Sequence, residues 1–474
     1  MKGRGVMNFI RSFCSAVYPY LPPVLKDLAC SYEGYRLHRL RFGRQYGPTL
    51  DWLKKTQWWS AEQQRSYQLE MLRETLEIAE TNVPYYRELF RNIGFCSKDL
   101  KSLDDLENLP VLKKSDIKNN PKAFVSVGEQ ASELVENHTS GTTGTRLDLV
   151  TTRTCVQKYF AVAWRQRGWF DVDNGMAHAT FNGRTIVPLE QKHPPFWCHN
   201  KPGKQTLFSF YHIKPSNLKA YVEELSRFPR QYITGYPSIL HLFSNLLLEN
   251  RIELPWRPKA IFTSSETLLE NQRSAIARAF RAPVADYYGM GEQGISASQC
   301  PFGNYHFDFE VGIAEILPIA EDPLVGKIVC TGFFNTAMPL IRYDTQDIVH
   351  LSESDCPCGR KGLVAKGIDG RIDSYIKTPE GYLLGRLPGV FTRLDGVQEG
   401  QVVQTAIDNL LVRIVKTSAF SDETLKQLYK ALRERVGNSM KIQVEYLDQI
   451  PRENNGKMRT VVSLLSKEQL YSDE

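Results

Sequence analysis

The chain is 474 residues long, which exceeds the usual size of one domain, so we expect a large domain joined to a smaller one. Hydrophobic residues make up 42% of it and charged residues 24%, proportions that are typical of a soluble globular protein. The net charge of +6 is small for this length, and no block of Lys and Arg dominates, so nothing predicts nucleic-acid binding. The nine cysteines are scattered and odd in number, which argues against a disulfide framework and predicts a cytoplasmic protein.

The first apolar stretch, residues 6–28, does not predict a membrane span. Arg11, Lys26, Asp27 and three prolines interrupt it, and no run reaches the roughly 18–20 apolar residues that a span requires. No small-residue cleavage site follows a clean apolar core, as it would in a signal peptide. We predict that residues 8–20 form an amphipathic segment docked on the protein, with weak attachment to a membrane surface as the alternative.

Helical periodicity dominates from residue 52 to residue 92, where Ser60 opens a capping-box sequence and Pro84 marks a helix end. A helix is also predicted at 152–167, followed by a turn-rich stretch at 171–215. Beyond it, strands and helices alternate, which indicates an α/β sheet with its chemistry at the carboxyl ends of the strands. The elements predicted there are helices at 218–226, 239–250 and 269–280 and strands at 231–234, 258–263 and 283–288.

After Pro301 the pattern becomes β-rich, and near Gly370 the composition shifts again. Strands are predicted at 311–316, 327–331, 340–343, 348–351, 402–405, 410–415 and 441–446, and a helix at 422–435. The predicted fold is therefore α/β. A large N-terminal domain with several sheets spans residues 1–370, including a helical extension over 1–80, and a small mobile α+β domain spans 371–474.

A loop rich in Gly, Ser and Thr is the first candidate for function. Its sequence is Thr139-Ser140-Gly141-Thr142-Thr143-Gly144, and strand-like runs flank it on both sides. Such a loop exposes backbone N–H groups and hydroxyls, which suits a polyanion such as triphosphate. It is not a Walker A loop, because no Gly-Lys-Ser/Thr follows and the chain enters a strand rather than a helix. The alternative is an ordinary Ser/Thr/Gly-rich turn in a hairpin.

Four further motifs follow this loop in order. They are Tyr287-Tyr-Gly-Met-Gly-Glu292, Asp344-Thr-Gln-Asp347, Gly370-Arg-Ile-Asp373 and Asn455-Gly-Lys457. In this order and spacing, the chain resembles the adenylate-forming (acyl-CoA synthetase-like) superfamily over roughly residues 80–465. Within it, the chain is similar to the phenylacetate–CoA ligase branch and to its capsule-biosynthesis-associated and coenzyme F390 synthetase-like members. The further motifs typical of that branch are Val83-Pro-Tyr-Tyr86, Leu109-Pro-Val-Leu-Lys113, Gly235-Tyr-Pro-Ser238, Leu340-Ile-Arg-Tyr343 and Cys356-Pro-Cys-Gly-Arg360.

The resemblance implies an enzyme that uses ATP and Mg²⁺ to activate a small carboxylic acid as an acyl-adenylate, releasing pyrophosphate. The acyl group would then pass to CoA or to an amine or hydroxyl acceptor. Loop 139–144 would hold the β- and γ-phosphates, Tyr288 would stack on adenine, and Asp286 would lie near its exocyclic amine. The other residues implied to line the nucleotide site are Ser265, Glu266, Tyr287, Gly289, Met290, Gly291, Glu292, Asp347, Arg371 and Lys457.

The charged residues receive individual roles from the resemblance. Glu292 would hold Mg²⁺, Asp347 would accept hydrogen bonds from the ribose hydroxyls, and Arg371 would approach the ribose or a phosphate. Lys457 would neutralise charge as the carboxylate meets the α-phosphate, and Asp373 matches the hinge at which the C-terminal domain rotates. Considered one at a time, each would be read as an ordinary turn, capping or solvated residue.

Some positions depart from the family pattern, and the acyl pocket is the least legible part. Gly291 stands where many relatives have Thr, and Gln346 replaces the usual Gly of a Thr-Gly-Asp motif, yet neither change removes a catalytic charge. The loop at 377–385 also differs from the CoA-ligase pattern, which leaves the acyl acceptor open. The candidates for the acyl pocket are Tyr236, Pro237 and Ser238.

A structural zinc site is a second hypothesis. Cys300, His306, Cys356 and Cys358 would supply three thiols and an imidazole, a closed tetrahedral set. Some members of the branch carry zinc at matching positions, where it would tie two β-hairpins together. The alternative is two free cysteines in a loop and one buried cysteine.

Two other functions stay open at this point. One is a nucleotidyltransferase that leaves AMP on its product, as in the coenzyme F390 synthetase-like branch. The other is a non-catalytic component of a polysaccharide pathway, against which the retained Glu292, Asp347, Arg371 and Lys457 argue. The sequence indicates neither the acid nor an oligomeric state.

Overall fold

The computed structural model describes most of the chain. The described residues are Tyr18, 21–139, 147–182, 185–266, 268, 270–318, 323–369, 376–381, 383–384, 387, 390–391, 394–416, 419–448, 450–451 and 461–465. Apart from Tyr18, the predicted amphipathic segment at 8–20 lies outside them. Within these ranges, every helix is too short or too polar to cross a membrane.

Short helices form the N-terminal layer: α1 (Pro23–Arg41), α2 (Tyr46–Thr56), α3 (Ala61–Asn82), α4 (Pro84–Ile93) and α5 (Lys114–Asn119). The predicted capping box at the start of α3 is confirmed, because the Ser60 hydroxyl accepts from the Gln63 N–H at 3.2 Å and the Gln63 side chain accepts from the Ser60 N–H at 2.9 Å. The predicted helical stretch at 52–92 contains parts of three helices, and the predicted helix start at Ser60 and helix end before Pro84 are both confirmed.

A twelve-stranded sheet forms the body of the described structure. Its strands are β3 (His178–Asn182), β4 (Trp197–Asn200), β5 (Gln205–Ser209), β6 (Tyr232–Gly235), β7 (Ala260–Ser264), β8 (Val284–Gly289), β9 (Ser296–Gln299), β10 (Tyr305–Phe307), β11 (Gly312–Pro318), β12 (Val325–Gly332), β13 (Tyr343–Leu351) and β14 (Val364–Asp369). Their order across the sheet is β11-β12-β13-β14-β10-β9-β8-β7-β6-β3-β5-β4. A separate hairpin pairs β1 (Leu134–Thr139) with β2 (Leu147–Thr152).

The direction of the strands divides the sheet in two. From β5 through β3, β6 and β7 to β8 the neighbours are parallel, and from β8 onward to β11 they are antiparallel. Helices α6 (Arg153–Gly168), α7 (Leu218–Arg227), α8 (Pro237–Glu249) and α9 (Glu270–Phe280) connect or cover the parallel half. Alternating strands and helices thus build the parallel half, as predicted for the α/β class.

Two predictions within this sheet are wrong in detail. The stretch 171–215, predicted as turns, contains β3, β4 and β5, whose short apolar segments are separated by loops rich in Pro and Gly. The strands predicted at 340–343 and 348–351 are one strand, β13, which begins at Tyr343 and continues to Leu351.

A large apolar cluster packs against each half of the sheet. Phe181, Phe208, Phe243 and Ile276 belong to the cluster between the parallel strands and helices α8 and α9. A second cluster lies between helices α3 and α4 and the antiparallel half, and it contains the fully buried Leu72, Leu76, Tyr86, Phe90 and Ile328. These clusters leave the loops at the strand ends to carry the polar residues.

The C-terminal part forms a small α+β unit. Its four-stranded sheet has the order β19-β18-β17-β20, built from β17 (Val397–Ala406), β18 (Asn409–Lys416), β19 (Lys441–Tyr446) and β20 (Val461–Ser463). Helix α10 (Asp422–Val436) lies between β18 and β19 in the chain, and the short pair β15 (Ile376–Lys377) and β16 (Leu383–Leu384) precedes the sheet. Strands β17, β18 and β19 and helix α10 agree with the predicted elements, β15, β16 and β20 were not predicted, and the boundary at residue 370 stays a prediction.

Candidate active site

Three neighbouring parallel strands, β6, β7 and β8, end at the same edge of the sheet. Gly235 at the end of β6 pairs with Thr263 of β7, and Ser264 at the end of β7 pairs with Tyr287 of β8. In open α/β sheets, ligands bind in the crevice beyond the carboxyl ends of such strands. A side chain at Gly235 would meet the Phe181 carbonyl oxygen at 2.5 Å, so this crowded strand end requires glycine.

Predicted site residues follow directly after these strand ends. Ser265 is exposed and has a left-handed backbone, with φ of 76°, and Glu266 comes next. Tyr236 and Pro237 begin α8 at the end of β6, in the position predicted for the acyl pocket. The side chain of Ser238 lies outside the described part of the structure.

The strands β1 and β2 flank the predicted phosphate loop and contact the segment after β8. Thr139 pairs with Leu147 at the open end of the ladder, so the two flanks of the loop are fixed as adjacent strands. The Asn137 amide donates to the Gly291 carbonyl at 3.4 Å, and the Thr151 hydroxyl donates to the Gln293 side chain at 2.8 Å. The hairpin therefore lies beside the segment that carries Glu292. Residues Ser140, Gly141, Thr142, Thr143 and Gly144 themselves lie outside the described residues.

A hydrogen bond joins the predicted adenine and ribose residues. The Tyr288 hydroxyl, at the end of β8, donates to a carboxylate oxygen of Asp347 in β13 at 2.7 Å. Burial and the neighbouring Asp347 raise the pKa of Tyr288 far above its ordinary value, so the hydroxyl remains the donor. Two motifs separated by 59 residues thus meet at one point.

A bulge in β13 presents Asp347. Between the pairs Lys327–Ile348 and Val329–Asp344, one residue of β12 lies opposite three residues of β13. Gln346, at the centre of these three, has φ of 63°, a left-handed backbone that favours glycine. The predicted departure from the family glycine therefore places a glutamine in a strained conformation beside Asp347, the carboxylate predicted to contact the ribose.

Glu292 is held by a tyrosine from a neighbouring strand. The Tyr343 hydroxyl donates to a carboxylate oxygen of Glu292 at 3.1 Å, and the Tyr343 side chain is buried in the core. Tyr159 of α6 fixes the same loop, since its hydroxyl donates to the Ile295 carbonyl at 2.8 Å and accepts from the Met290 N–H at 3.4 Å. The half-buried Glu292 is thus presented by a loop tied at both ends.

Asp286 is buried and lies two residues before Tyr288 in the same strand, β8. The hydroxyls of Thr263 and Tyr305 donate to its two carboxylate oxygens at 2.5 Å and 2.8 Å. Burial raises the pKa of Asp286 to about 6, although these hydroxyls oppose the shift. The predicted contact with the adenine amine stays a prediction, and the structure shows this carboxylate already engaged by the sheet.

The structure brings together the predicted residues of β7, β8 and β13, and adds residues that the sequence did not indicate. Tyr343 stood in a motif typical of the family but had no predicted role, and nothing in the sequence singled out Tyr159. Arg371, Asp373 and Lys457 lie outside the described residues, so their roles stay predictions.

The predicted metal ligands form one cluster. The ligand atoms of Cys300, His306, Cys356 and Cys358 all lie within 4.8 Å of one another. Cys300 follows β9 and His306 lies in β10, whereas Cys356 and Cys358 lie between β13 and β14. Because β9, β10 and β14 are neighbours in the sheet, the cluster joins two hairpins, as the hypothesis required.

The environment of the cluster favours the metal-binding form of His306 and Cys356 but not of Cys300. Burial lowers the pKa of His306 to about 4, so its imidazole is neutral near pH 7. Burial alone would raise the pKa of Cys356, but hydrogen bonds from the Cys358 N–H and the Asn304 side chain hold it below its usual value. Asn304 donates to the Cys356 sulfur at 3.1 Å. By contrast, burial raises the pKa of Cys300 to about 12.

Comparisons with known proteins cover nearly the whole chain. It is 27% identical over 454 residues to Protein CapK of Staphylococcus aureus, a match that covers 94% of this chain and 98% of the relative. It is 24% identical over 469 residues to the phenylacetate-coenzyme A ligase of Thermus thermophilus, which covers 88% of this chain and 99% of the relative. Residues 376–464 match the CapK C-terminal domain family.

Solved structures share the fold. A 2-hydroxyisobutyryl-CoA ligase in complex with 2-HIB-AMP and CoA, in the thioesterification state, matches with a TM-score of 0.56 at 20% identity, covering 86% of this chain and 91% of that chain. The same enzyme in the postadenylation state matches with a TM-score of 0.53 at 18% identity, covering 88% and 92%. The predicted α/β fold class is confirmed, and so is the predicted resemblance: the homologues of this chain include CapK and phenylacetate-coenzyme A ligases, and it shares its fold with acyl-CoA ligases.

Proposed function

We propose that the protein uses ATP to adenylate a small carboxylic acid and then passes the acyl group to CoA or another nucleophile. The observation that supports this most directly is the pair of hydrogen bonds Tyr288–Asp347 and Tyr343–Glu292, which unite separate motifs beside the β1–β2 hairpin. Relatives that span nearly the whole chain include phenylacetate-coenzyme A ligases. Motifs, position and relatives thus support the same chemistry.

The proposed first step is a displacement at phosphorus. A carboxylate oxygen attacks the α-phosphorus of ATP, the bond to the bridging oxygen breaks, and pyrophosphate leaves with the electron pair. The β1–β2 hairpin would bring loop 139–144 to the β- and γ-phosphates, while Asp347 holds the ribose and Tyr288 lies against the base. Lys457 would neutralise the approaching anions, since electrostatic stabilisation dominates phosphoryl chemistry.

Glu292 fits the role of Mg²⁺ ligand. Its carboxylate offers the hard oxygen that Mg²⁺ prefers, and the Tyr343 hydroxyl orients it from one side. When bound, the cation would neutralise charge on the triphosphate. The chain's own contribution is to hold Glu292 in place through Tyr343 and through the loop that Tyr159 secures.

The decisive experiment is acid-dependent exchange of labelled pyrophosphate into ATP over a panel of small aromatic and aliphatic acids. We expect exchange with at least one acid and its loss, by about 100-fold or more, in Lys457→Ala, because the transition state loses a charge at the reacting atoms. A matched control is Lys430→Ala, which removes a lysine from the exposed side of α10. Exchange that survives Lys457→Ala unchanged would contradict the assigned role.

The acceptor is resolved in a second stage of the same assay. With ATP labelled at the α-phosphate, release of free AMP on addition of CoA or an amine supports acyl transfer. Label retained on the product instead supports the nucleotidyltransferase alternative. No exchange with any acid, and no retained label, would favour the remaining alternative, a non-catalytic role in a polysaccharide pathway.

We also propose that the Cys/His cluster holds a structural zinc ion. Three sulfurs and one imidazole within 4.8 Å form the closed donor set of such sites, and the N–H donors on Cys356 are those that stabilise a thiolate. Metal analysis of the purified protein should give about one zinc per chain, and Cys356→Ser/Cys358→Ser should lose it. Cys30→Ser/Cys96→Ser, two half-buried cysteines elsewhere, should keep it. A parent protein free of zinc would reject the site.

A further inference from the structure

Helix α1 exposes five of its large apolar residues, whereas its Lys26 side chain is buried. Val24, Leu28, Tyr32 and Tyr35 are exposed by 71%, 58%, 71% and 51%, and Leu25 lies beside them. At 3.6 residues per turn, these five residues fall within about 100° of the helix circumference. Of the thirteen large hydrophobic residues that are exposed in the described structure, five therefore form one continuous face, which we call the α1 face.

Polar contacts outside the α1 face fix this helix to β4. The Asp27 carboxylate accepts from the His199 N–H at 2.7 Å, and the Ser31 hydroxyl donates to the His199 carbonyl at 3.2 Å. Lys26 is buried, and Gly34 packs directly against the Asn200 side chain. The helix cannot rotate its apolar residues inward without losing these contacts with β4, so the α1 face is a fixed property of the fold.

The net charge of the sequence lies in its first 44 residues, the range that includes α1. Residues 1–44 contain eight Lys and Arg and two acidic residues, which is a net charge of +6, so the other 430 residues have no net charge. The first acidic residue in the sequence is Asp27. Arg39 lies within the α1 face, about 60° around the helix from Val24, and Arg36 lies at its border, paired with Glu33 at 2.6 Å.

We propose that the α1 face binds the surface of a membrane that contains anionic lipids. An exposed apolar patch rimmed by basic residues is the pattern of a helix lying in the interface, and Tyr side chains favour the headgroup level. Charge favours this occupant over a second copy of the chain, because a symmetric contact between two copies would place the same Arg-bearing face against itself.

The test is sedimentation of the full-length protein with vesicles. We expect binding to phosphatidylcholine vesicles that contain about one third phosphatidylglycerol, weaker binding to phosphatidylcholine alone, and a decline as NaCl rises from about 0.05 to about 0.5 M. Leu28→Glu/Tyr32→Glu should lower the partition coefficient by about ten-fold or more, because apolar area is lost and two anionic charges are added.

The matched control makes the same change in charge elsewhere. Ile93→Glu/Val127→Glu replaces two apolar residues that are 44% and 55% exposed outside α1, and it should bind vesicles like the parent. Circular dichroism and thermal unfolding check that both variants fold. A parent that fails to bind anionic vesicles, or a Leu28/Tyr32 variant that binds as the parent does, overturns the proposal. A parent dimer that the α1 variant converts to monomers, without vesicle binding in either, assigns the face to a second copy instead and also overturns it.

Discussion

Removing one hydroxyl beside Glu292 tests whether Tyr343 positions this carboxylate, the proposed magnesium ligand. Tyr343→Phe keeps the buried ring and deletes only the group that donates to Glu292 at 3.1 Å. A hydrogen bond to a charged group contributes about 1.5–3 kcal/mol, which corresponds to about 10–100-fold in an equilibrium constant. The expected loss in metal affinity when a partner of a ligand is removed lies in the same range.

Calorimetry of ATP binding at a series of Mg²⁺ concentrations measures this effect without knowledge of the acid. We expect Tyr343→Phe to require about 10–100-fold more Mg²⁺ for half-maximal ATP binding, with recovery when Mg²⁺ is in excess. Pyrophosphate exchange should follow the same dependence once an acid is found.

Tyr86→Phe is the control for this experiment. Its hydroxyl is equally buried, and it donates to the Pro339 carbonyl at 3.2 Å and accepts from the Ile341 N–H at 3.0 Å, so no carboxylate is involved. Its loss should lower stability by about 1–3 kcal/mol and leave the Mg²⁺ dependence unchanged. Identical Mg²⁺ curves for Tyr343→Phe and the parent would refute the positioning role, and equal shifts in both variants would show that the effect is general destabilisation.

Two further predictions concern stability. Gln346→Gly should raise the free energy of unfolding by about 0.5–1 kcal/mol in urea titrations, because it relieves a left-handed backbone at φ of 63°; an unchanged or lower value would contradict this. Burial raises the pKa of Asp286 from 3.8 to about 6, so the folded state binds this proton more tightly than the unfolded state, and the associated stability is lost as pH rises through that interval. Asp286→Asn, which cannot ionise, should therefore gain up to about 3 kcal/mol relative to the parent between pH 4 and pH 7, whereas a pH-independent difference would exclude the raised pKa.

The sequence predicted the elements whose stability is local. Ser60 caps α3 and Pro84 ends it because capping and steric exclusion act over a few residues. The C-terminal strands and α10 carry their own periodicity. By contrast, β3, β4 and β5 are short, and their pairing with β6 and with one another comes from contacts distant in sequence, which no local pattern reveals.

For the candidate site, the family motifs proposed residues but indicated none of their contacts. The contacts of Tyr159 and Tyr343 depend on how the helices and strands pack. The buried ion pairs of Arg165 with Asp308 and Glu310, each at 2.6 Å, likewise join residues more than a hundred positions apart. The Cys/His set was the exception, since its residue types, together with the family resemblance, predicted a cluster that the sheet then assembles.

The hydrogen bond between Tyr288 and Asp347 also affects the cost of recognising a nucleotide. A free carboxylate on a bulge would sample several rotamers and would have to be immobilised by its ligand, at about 0.5–1.5 kcal/mol for such a side chain. Here the tyrosine that is proposed to lie against the base already orients the carboxylate that is proposed to hold the sugar. Because an ionised carboxylate accepts about four hydrogen bonds, a ribose can join this contact rather than displace it. Recognition of base and sugar would then be coupled through one phenolic proton, so a change at Tyr288 should weaken both.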